Sequence, residues 1–124
     1  VLPGLVQRKA GIMTCPRCLN REELAWAAGF FDGEGTTGVY PLSSGRNRVY
    51  LSVGQKAKEL LLRFKDAVGG LGHTDYHDGR IWRFRTDSFE IVQAIIAALW
   101  FKLGSVKRAQ AMRALQTYHT RRHA

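Results

Sequence analysis

The chain has 124 residues, 45% of them hydrophobic, enough for one domain with a real core and too apolar for a disordered chain. Its 19 Lys and Arg against 10 Asp and Glu leave a formal charge of +9, a balance that suggests a polyanionic partner, nucleic acid before membrane. No apolar run reaches membrane-spanning length and no signal-peptide pattern opens the chain, so a soluble intracellular protein of the cytoplasm, nucleoid or an organelle matrix is expected.

Residues 1–19 hold Pro3, Gly4, Gly11 and Pro16 without sustained periodicity and read as an irregular arm; residues 20–124 read as a single domain. Both cysteines, Cys15 and Cys18, lie in that arm. A structural zinc site wants four ligands and a second cysteine pair is missing, so zinc is not expected here. A dithiol or the remnant of a lost finger is the plainer reading.

Asn20 followed by Glu23 is a capping-box signature, and Leu24, Ala27, Ala28 and Phe31 then recur at helical spacing. Ala25 and Gly29, with Ala28 beside them, form a face of small residues that would let a second backbone come close. The helix runs into Asp32-Gly33-Glu34-Gly35, two acids at the unfavourable end of its dipole with glycines around them. The stretch reads either as a cation site or as a Gly-rich cap with solvated acids.

Two strands follow, over 36–42 and 46–53, joined at Ser43-Ser-Gly45. In the second, Val49, Leu51 and Val53 point to a core, while Arg46, Arg48, Tyr50 and Ser52 make a basic, polar face. That face is either simply solvated or laid on a partner. Residues 55–68 form a second helix, stopped by Gly69-Gly70. Asp78-Gly79 is a two-residue hairpin signal, which pairs Tyr76 with Ile81 and Thr74 with Arg83. Trp82 and Phe84 then face the core, and Arg83 and Arg85 the other side. Asp87 with Glu90 is a further capping box, opening a helix whose apolar stripe runs from Phe89 to Leu103. Ser105 is placed as the cap of a last helix ending near Tyr118, before the basic tail. The order αββαββα plus a C-terminal helix predicts an α+β sandwich, with helices on one side of an antiparallel four-stranded sheet.

Ala27-Ala-Gly-Phe-Phe-Asp-Gly-Glu-Gly35 resembles the nine-residue motif of the LAGLIDADG homing endonucleases, with Ala27, Phe30-Phe31 and Glu34 as conservative departures. The element order extends the resemblance to residues 21 to about 118. It implies the homing-endonuclease core, with the sheet as a DNA-binding saddle. A single motif implies a homodimer through the motif helix at Ala25, Ala28, Gly29 and Asp32, Asp32 serving to fix the helix end. The implied activity is a site-specific, Mg²⁺- or Mn²⁺-dependent double-strand break in a long pseudo-palindromic DNA target, as in intron or intein mobility. Glu34 and the Gly33 carbonyl would hold the metal, Gln55 would position water and Lys107 would polarise the phosphate and water network. Base reading would fall to Tyr40, Arg46, Arg48, Tyr50, Ser52, Arg83 and Arg85, since arginine to guanine is the commonest such contact. The alternative on the same scaffold is a non-cleaving nucleic-acid-binding protein, an RNA maturase or a DNA-binding regulator.

Overall fold

The structure, a computed structural model, describes residues 19–120. Residues 1–18 of the N-terminal arm, with Cys15 and Cys18, and the last four residues of the basic tail lie outside the described residues. Helix α1 spans Arg21–Glu34, β1 Gly35–Pro41, β2 Asn47–Gln55, α2 Lys58–Ala67, β3 His73–His77, β4 Ile81–Thr86, α3 Phe89–Leu99 and α4 Ser105–Tyr118. One antiparallel sheet of order β1-β2-β4-β3 results, with helices against one face, the α+β architecture expected. Among the described residues no helix is long and apolar enough to cross a membrane.

The core follows from the alternation in β2. Val49, Leu51 and Val53 are fully buried, joined by Phe84 of β4, and meet Phe31, Leu61, Phe64, Val92, Ile95 and Leu99 from the helices. Phe64 sits between Phe31 and Phe84, with ring centroids 6.2 and 5.2 Å away. Aromatic contacts of this kind add to the area they bury. Ala28 belongs to this core at 0% exposure, so it faces inward and not onto the open small face. That face is instead Ala25, Gly29 and Gly33, spaced four apart, and nothing lies within 4 Å of a Cβ built on either glycine.

Several boundaries differ from the sequence expectation for local physical reasons. Gln55 stays in the ladder, paired with Trp82, so α2 starts only at Lys58. In the second hairpin, Asp78 and Gly79 both take positive φ as the turn signal requires. Arg80 is nevertheless an extra residue, and the register becomes His77 with Ile81, Tyr76 with Trp82 and Thr74 with Phe84. The stripe after α3 does not continue as one helix but tightens to a 3₁₀ turn at Trp100–Lys102. The cap of α3 is Ser88, whose hydroxyl accepts from the Ile91 amide at 3.4 Å, leaving Asp87 free for other partners. Asn20 caps α1 as expected, accepting from the Glu23 amide at 3.0 Å, while the Glu23 carboxylate pairs with Arg63.

The last helix is held from outside itself. Ser105 is its first residue and makes no cap; Asp32 of α1 accepts from the Gly104 amide with both oxygens at 3.0 Å. A carboxylate at a helix N-terminus satisfies an orphan donor and suits the dipole. Along the helix, Lys107 Nζ donates to the Gly35 carbonyl at 2.6 Å, and Gln110 Oε1 accepts from the Thr37 amide at 3.1 Å. Asn47 Nδ2 donates to the Thr117 and Thr120 carbonyls at the far end. Helix α4 thereby covers the open edge of β1, a sheet edge that would otherwise offer unpaired backbone groups.

Gly35 has no room for a side chain, since a Cβ there would collide with the Phe31 ring. Gly35→Ala is expected to destabilise the fold by about 1–3 kcal/mol, the usual cost of overpacking. Gly29→Ala, in open space within one chain, should instead gain that single chain up to about 1 kcal/mol of helix propensity, read at concentrations low enough that copies do not pair. Urea unfolding of the two variants beside the parent checks both signs.

Candidate nucleic-acid interface and catalytic junction

The side chains expected to carry chemistry gather at one end of the sheet, where α1 passes into β1. Glu34 is the last residue of α1 and is exposed, with Gly33, also exposed, before it. Gly35 pairs with Val53, which puts Gln55 two residues further along β2 at the same end of the sheet. Lys107 reaches this junction from α4 through its bond to the Gly35 carbonyl. Gln55 is held locally, its Oε1 accepting from the Lys56 amide at 2.8 Å. Glu34 and Lys107 are therefore brought to adjoining residues of one bend, and Gln55 to the strand beside it. Asp32 does not join them: its two oxygens are taken up by Gly104.

Among the described residues no cluster of three or more His, Cys, Asp or Glu could hold a metal ion. Among the described residues of one chain, the junction offers the Glu34 carboxylate and the Gly33 backbone carbonyl. These are hard oxygen donors, suited to Mg²⁺ or Ca²⁺ and too few to complete a coordination shell alone.

The second feature is the face of the sheet turned away from the helices. The register aligns Tyr40 with Arg48 and Thr36 with Ser52, and Ser52 with Arg85, which pairs with His73. Gly54 aligns with Arg83, which pairs with Asp75. Tyr40, Arg48, Tyr50, Ser52, Arg83 and Arg85 thus share one surface. Arg46 lies in the hairpin turn before β2 and not in the strand, where it is exposed. Opposite Tyr50, a Cβ on Gly38 would come within 2.7 Å of the Tyr50 hydroxyl, so the glycine lets that ring lie across β1. Arg48, His73, Asp75, Arg83, Arg85 and Asp87 line a hollow of about 530 Å³ on this surface.

Sequence reasoning missed His73, Asp75 and Asp87 on this face, and Gln110 beside the junction. His73 and Asp75 alternate in β3 as Arg83 and Arg85 do in β4, a pattern the shifted register obscured. Gln110 lies three residues from Lys107 and so on the same side of α4, which was a usable signal.

Asp87 joins the two strands electrostatically. It accepts from Arg85 Nε at 2.8 Å and from the Tyr40 hydroxyl at 2.9 Å. Burial raises its pKa, but the hydrogen bonds from Arg85 and Tyr40 outweigh that and hold the carboxyl below the ordinary aspartate range. The Tyr40 hydroxyl is pushed up, first by that hydrogen bond to Asp87 and then by burial. Because the folded pKa of Asp87 is depressed, its stabilisation is present above the unfolded value near 3.8 and is lost as pH falls through the folded value. Asp87→Asn is therefore expected to cost up to about 1 kcal/mol at pH 7 for this part-exposed pair. The difference from the parent should vanish in acid, as urea unfolding at neutral and low pH would record.

A motif helix ending in a free carboxylate, packed on the inner face of an antiparallel sheet whose outer face is basic, makes an α+β domain. No family model matches the chain and no curated protein matches it, but many solved structures do. The homing endonuclease I-CvuI in complex with its target, in the presence of Ca, superposes with a TM-score of 0.66 and 26% identity. That likeness covers 77% of this chain and 65% of I-CvuI. The LAGLIDADG homing endonuclease I-GzeII in complex with its DNA target gives 0.63 and 28% identity, over 86% of this chain and 36% of that one. The LAGLIDADG meganuclease I-AabMI bound to uncleaved DNA has the same fold, with a TM-score of 0.66 and 24% identity over 79% of this chain and 35% of that one. The chain is similar in fold to LAGLIDADG homing endonucleases, and in sequence at 26% and 28% identity to I-CvuI and I-GzeII. It spans 65% of the length of I-CvuI and about a third of the other two.

Proposed function

We propose that this chain is a site-specific DNA endonuclease that works as a homodimer on a long pseudo-palindromic duplex, dependent on Mg²⁺ or Mn²⁺. The observation that carries the reading is the junction itself: Glu34 free at the end of the motif helix, with Lys107 fixed beside it on the Gly35 carbonyl. A protein that only bound nucleic acid would have no use for an acid aimed at a phosphodiester. The complexes of I-CvuI, I-GzeII and I-AabMI with DNA support the same substrate for this chain.

The bare face of Ala25, Gly29 and Gly33 is where a second copy would pack, bringing two Glu34 carboxylates together on a two-fold axis. I-GzeII and I-AabMI leave more than half of their own chains outside the likeness, room for a second unit of this size. One unit per chain would need a second chain to do the same.

Glu34 and the Gly33 carbonyl would hold the divalent ion, which when bound offsets the charge of the phosphate and activates water. The residues around it have separate tasks. Lys107 places a positive charge against the scissile phosphate, and Gln55 offers an amide to orient the attacking water. Each copy would act on one strand, giving two cuts. Tyr40, Arg46, Arg48, Tyr50, Ser52, Arg83 and Arg85 would face the bases, and further basic residues the phosphates, with a steep salt dependence. A soluble, DNA-accessible compartment suits this activity.

The test is cleavage and binding measured side by side on a large duplex library. The parent should cut both strands of a discrete site with Mg²⁺ and bind the same site without cutting in Ca²⁺. Glu34→Gln should lose cutting by at least about 100-fold, on the scale of losing a group that acts in the transition state, and keep its affinity. Tight binding by the parent without any cut would favour the non-cleaving RNA maturase or DNA-binding regulator.

A further inference from the structure

Among the outward-facing arginines, Arg85 is held in a way that Arg83 is not. Its Nε donates to Asp87 Oδ1 at 2.8 Å, and its guanidinium carbon lies 4.4 Å from the Tyr50 ring centroid and 6.0 Å from that of Tyr40. Asp87 is in turn fixed by the Tyr40 hydroxyl on its other oxygen, at 2.9 Å. Gly38 gives the Tyr50 ring its place across β1. The plane and direction of the guanidinium are thus set by three neighbours, Tyr40 of β1, Tyr50 of β2 and Asp87 just after β4. Arg83, by contrast, has its Nε in a loose ion pair 3.7 Å from Asp75, too far for a hydrogen bond, and that buried Nε has no hydrogen-bond partner.

A carboxylate on this surface needs an explanation. Where a surface serves only to hold phosphates, an aspartate repels the ligand and removes one of the charges that drive binding. Asp87 is also unneeded as a helix cap, since Ser88 does that work. What Asp87 does is occupy Nε, so that the fork of the two terminal nitrogens of Arg85 lies outside that ion pair. That fork is the group that bonds guanine O6 and N7 together in the major groove, and a side chain already fixed loses less freedom on binding.

We propose that Arg85 reads a guanine, with Asp87 as its positioning residue, so that each copy of the chain carries one fixed guanine preference in its half-site. This rests on the endonuclease reading above, in which the sheet lies on duplex DNA. Arg83, loosely held, is left to adapt to its sequence context.

The experiment is competition binding in Ca²⁺ with the parent, Arg85→Lys, Asp87→Asn and Arg83→Lys. The probes are the selected duplex and its full set of single base-pair changes. For the parent, replacing one G·C pair in each half-site should weaken binding about tenfold or more. Arg85→Lys and Asp87→Asn should both flatten the preference at that pair and leave the other positions as they were. Asp87→Asn should at the same time bind unrelated duplex at least as tightly as the parent, because a negative charge has gone. A purely structural role for Asp87 would weaken all duplexes alike. Arg83→Lys should leave the guanine preference standing. The proposal is overturned if Asp87→Asn keeps the parent's base profile, or if Arg85→Lys weakens every duplex equally, as a phosphate contact would. Absence of any duplex binding by the parent would overturn the endonuclease reading itself, and this proposal with it.

Discussion

The carboxylate of Asp32 on the amide of Gly104 ties the end of α1 to the start of α4, 72 residues away in sequence. The geometry of the candidate site depends on it. With α4 anchored there, Lys107 falls on the Gly35 carbonyl and Gln110 on the Thr37 amide, so β1 is closed along its edge and Glu34 is left at a fixed bend. Gly35 completes the corner, because the Phe31 ring lies where any side chain would go. Of the two acids in the Asp-Gly-Glu-Gly stretch, one builds the corner and the other is presented by it. Acids at a helix C-terminus are unfavourable by themselves, and here Asp32 is compensated by the N-terminus of another helix.

The same division of labour runs through the sheet. Its inner face is a dry layer of Val49, Leu51, Val53 and Phe84 that fixes where the strands lie. The outer face has no packing duty and carries the arginines and tyrosines. Cross-strand neighbours there are not independent: Tyr40 on β1, Tyr50 on β2, Arg85 on β4 and Asp87 after it form one connected group. A basic face organised in this way is more than a field of positive charge, because some of its donors have their directions set in advance.

Local signals made most of the architecture legible. The cap at Asn20, the helical spacing through Phe31 and the strict alternation in β2 all depend on neighbours in sequence, and all appear in the structure. The nine-residue motif put Glu34 at the end of α1, where the structure also has it, because a helix running into glycines is a local signal. Gly35 is required there by the Phe31 ring four residues before it. What was misread involves choices between equivalent local partners or contacts from far away. Asp87 and Ser88 are both good caps, and the ion pair with Arg85 decides which one does it. The Asp78-Gly79 turn was recognised, but one extra residue, Arg80, shifted the pairing. Ala28 is small for core packing, whereas Gly29 beside it is small and exposed; a helical wheel of similar residues did not separate the two. The Asp32 contact has no local signal at all.

The central claim is that α1 uses one face to build the subunit and its bare opposite face to bring two subunits, and two Glu34 residues, together. Mass measurement of the Gly29→Arg variant beside the parent, free and on duplex, tests it most directly. The parent is expected at twice its 13.9 kDa, and Gly29→Arg at one chain mass with its fold intact, binding weakly and making no double-strand break. A Gly29→Arg protein that still paired and cut both strands would contradict the account.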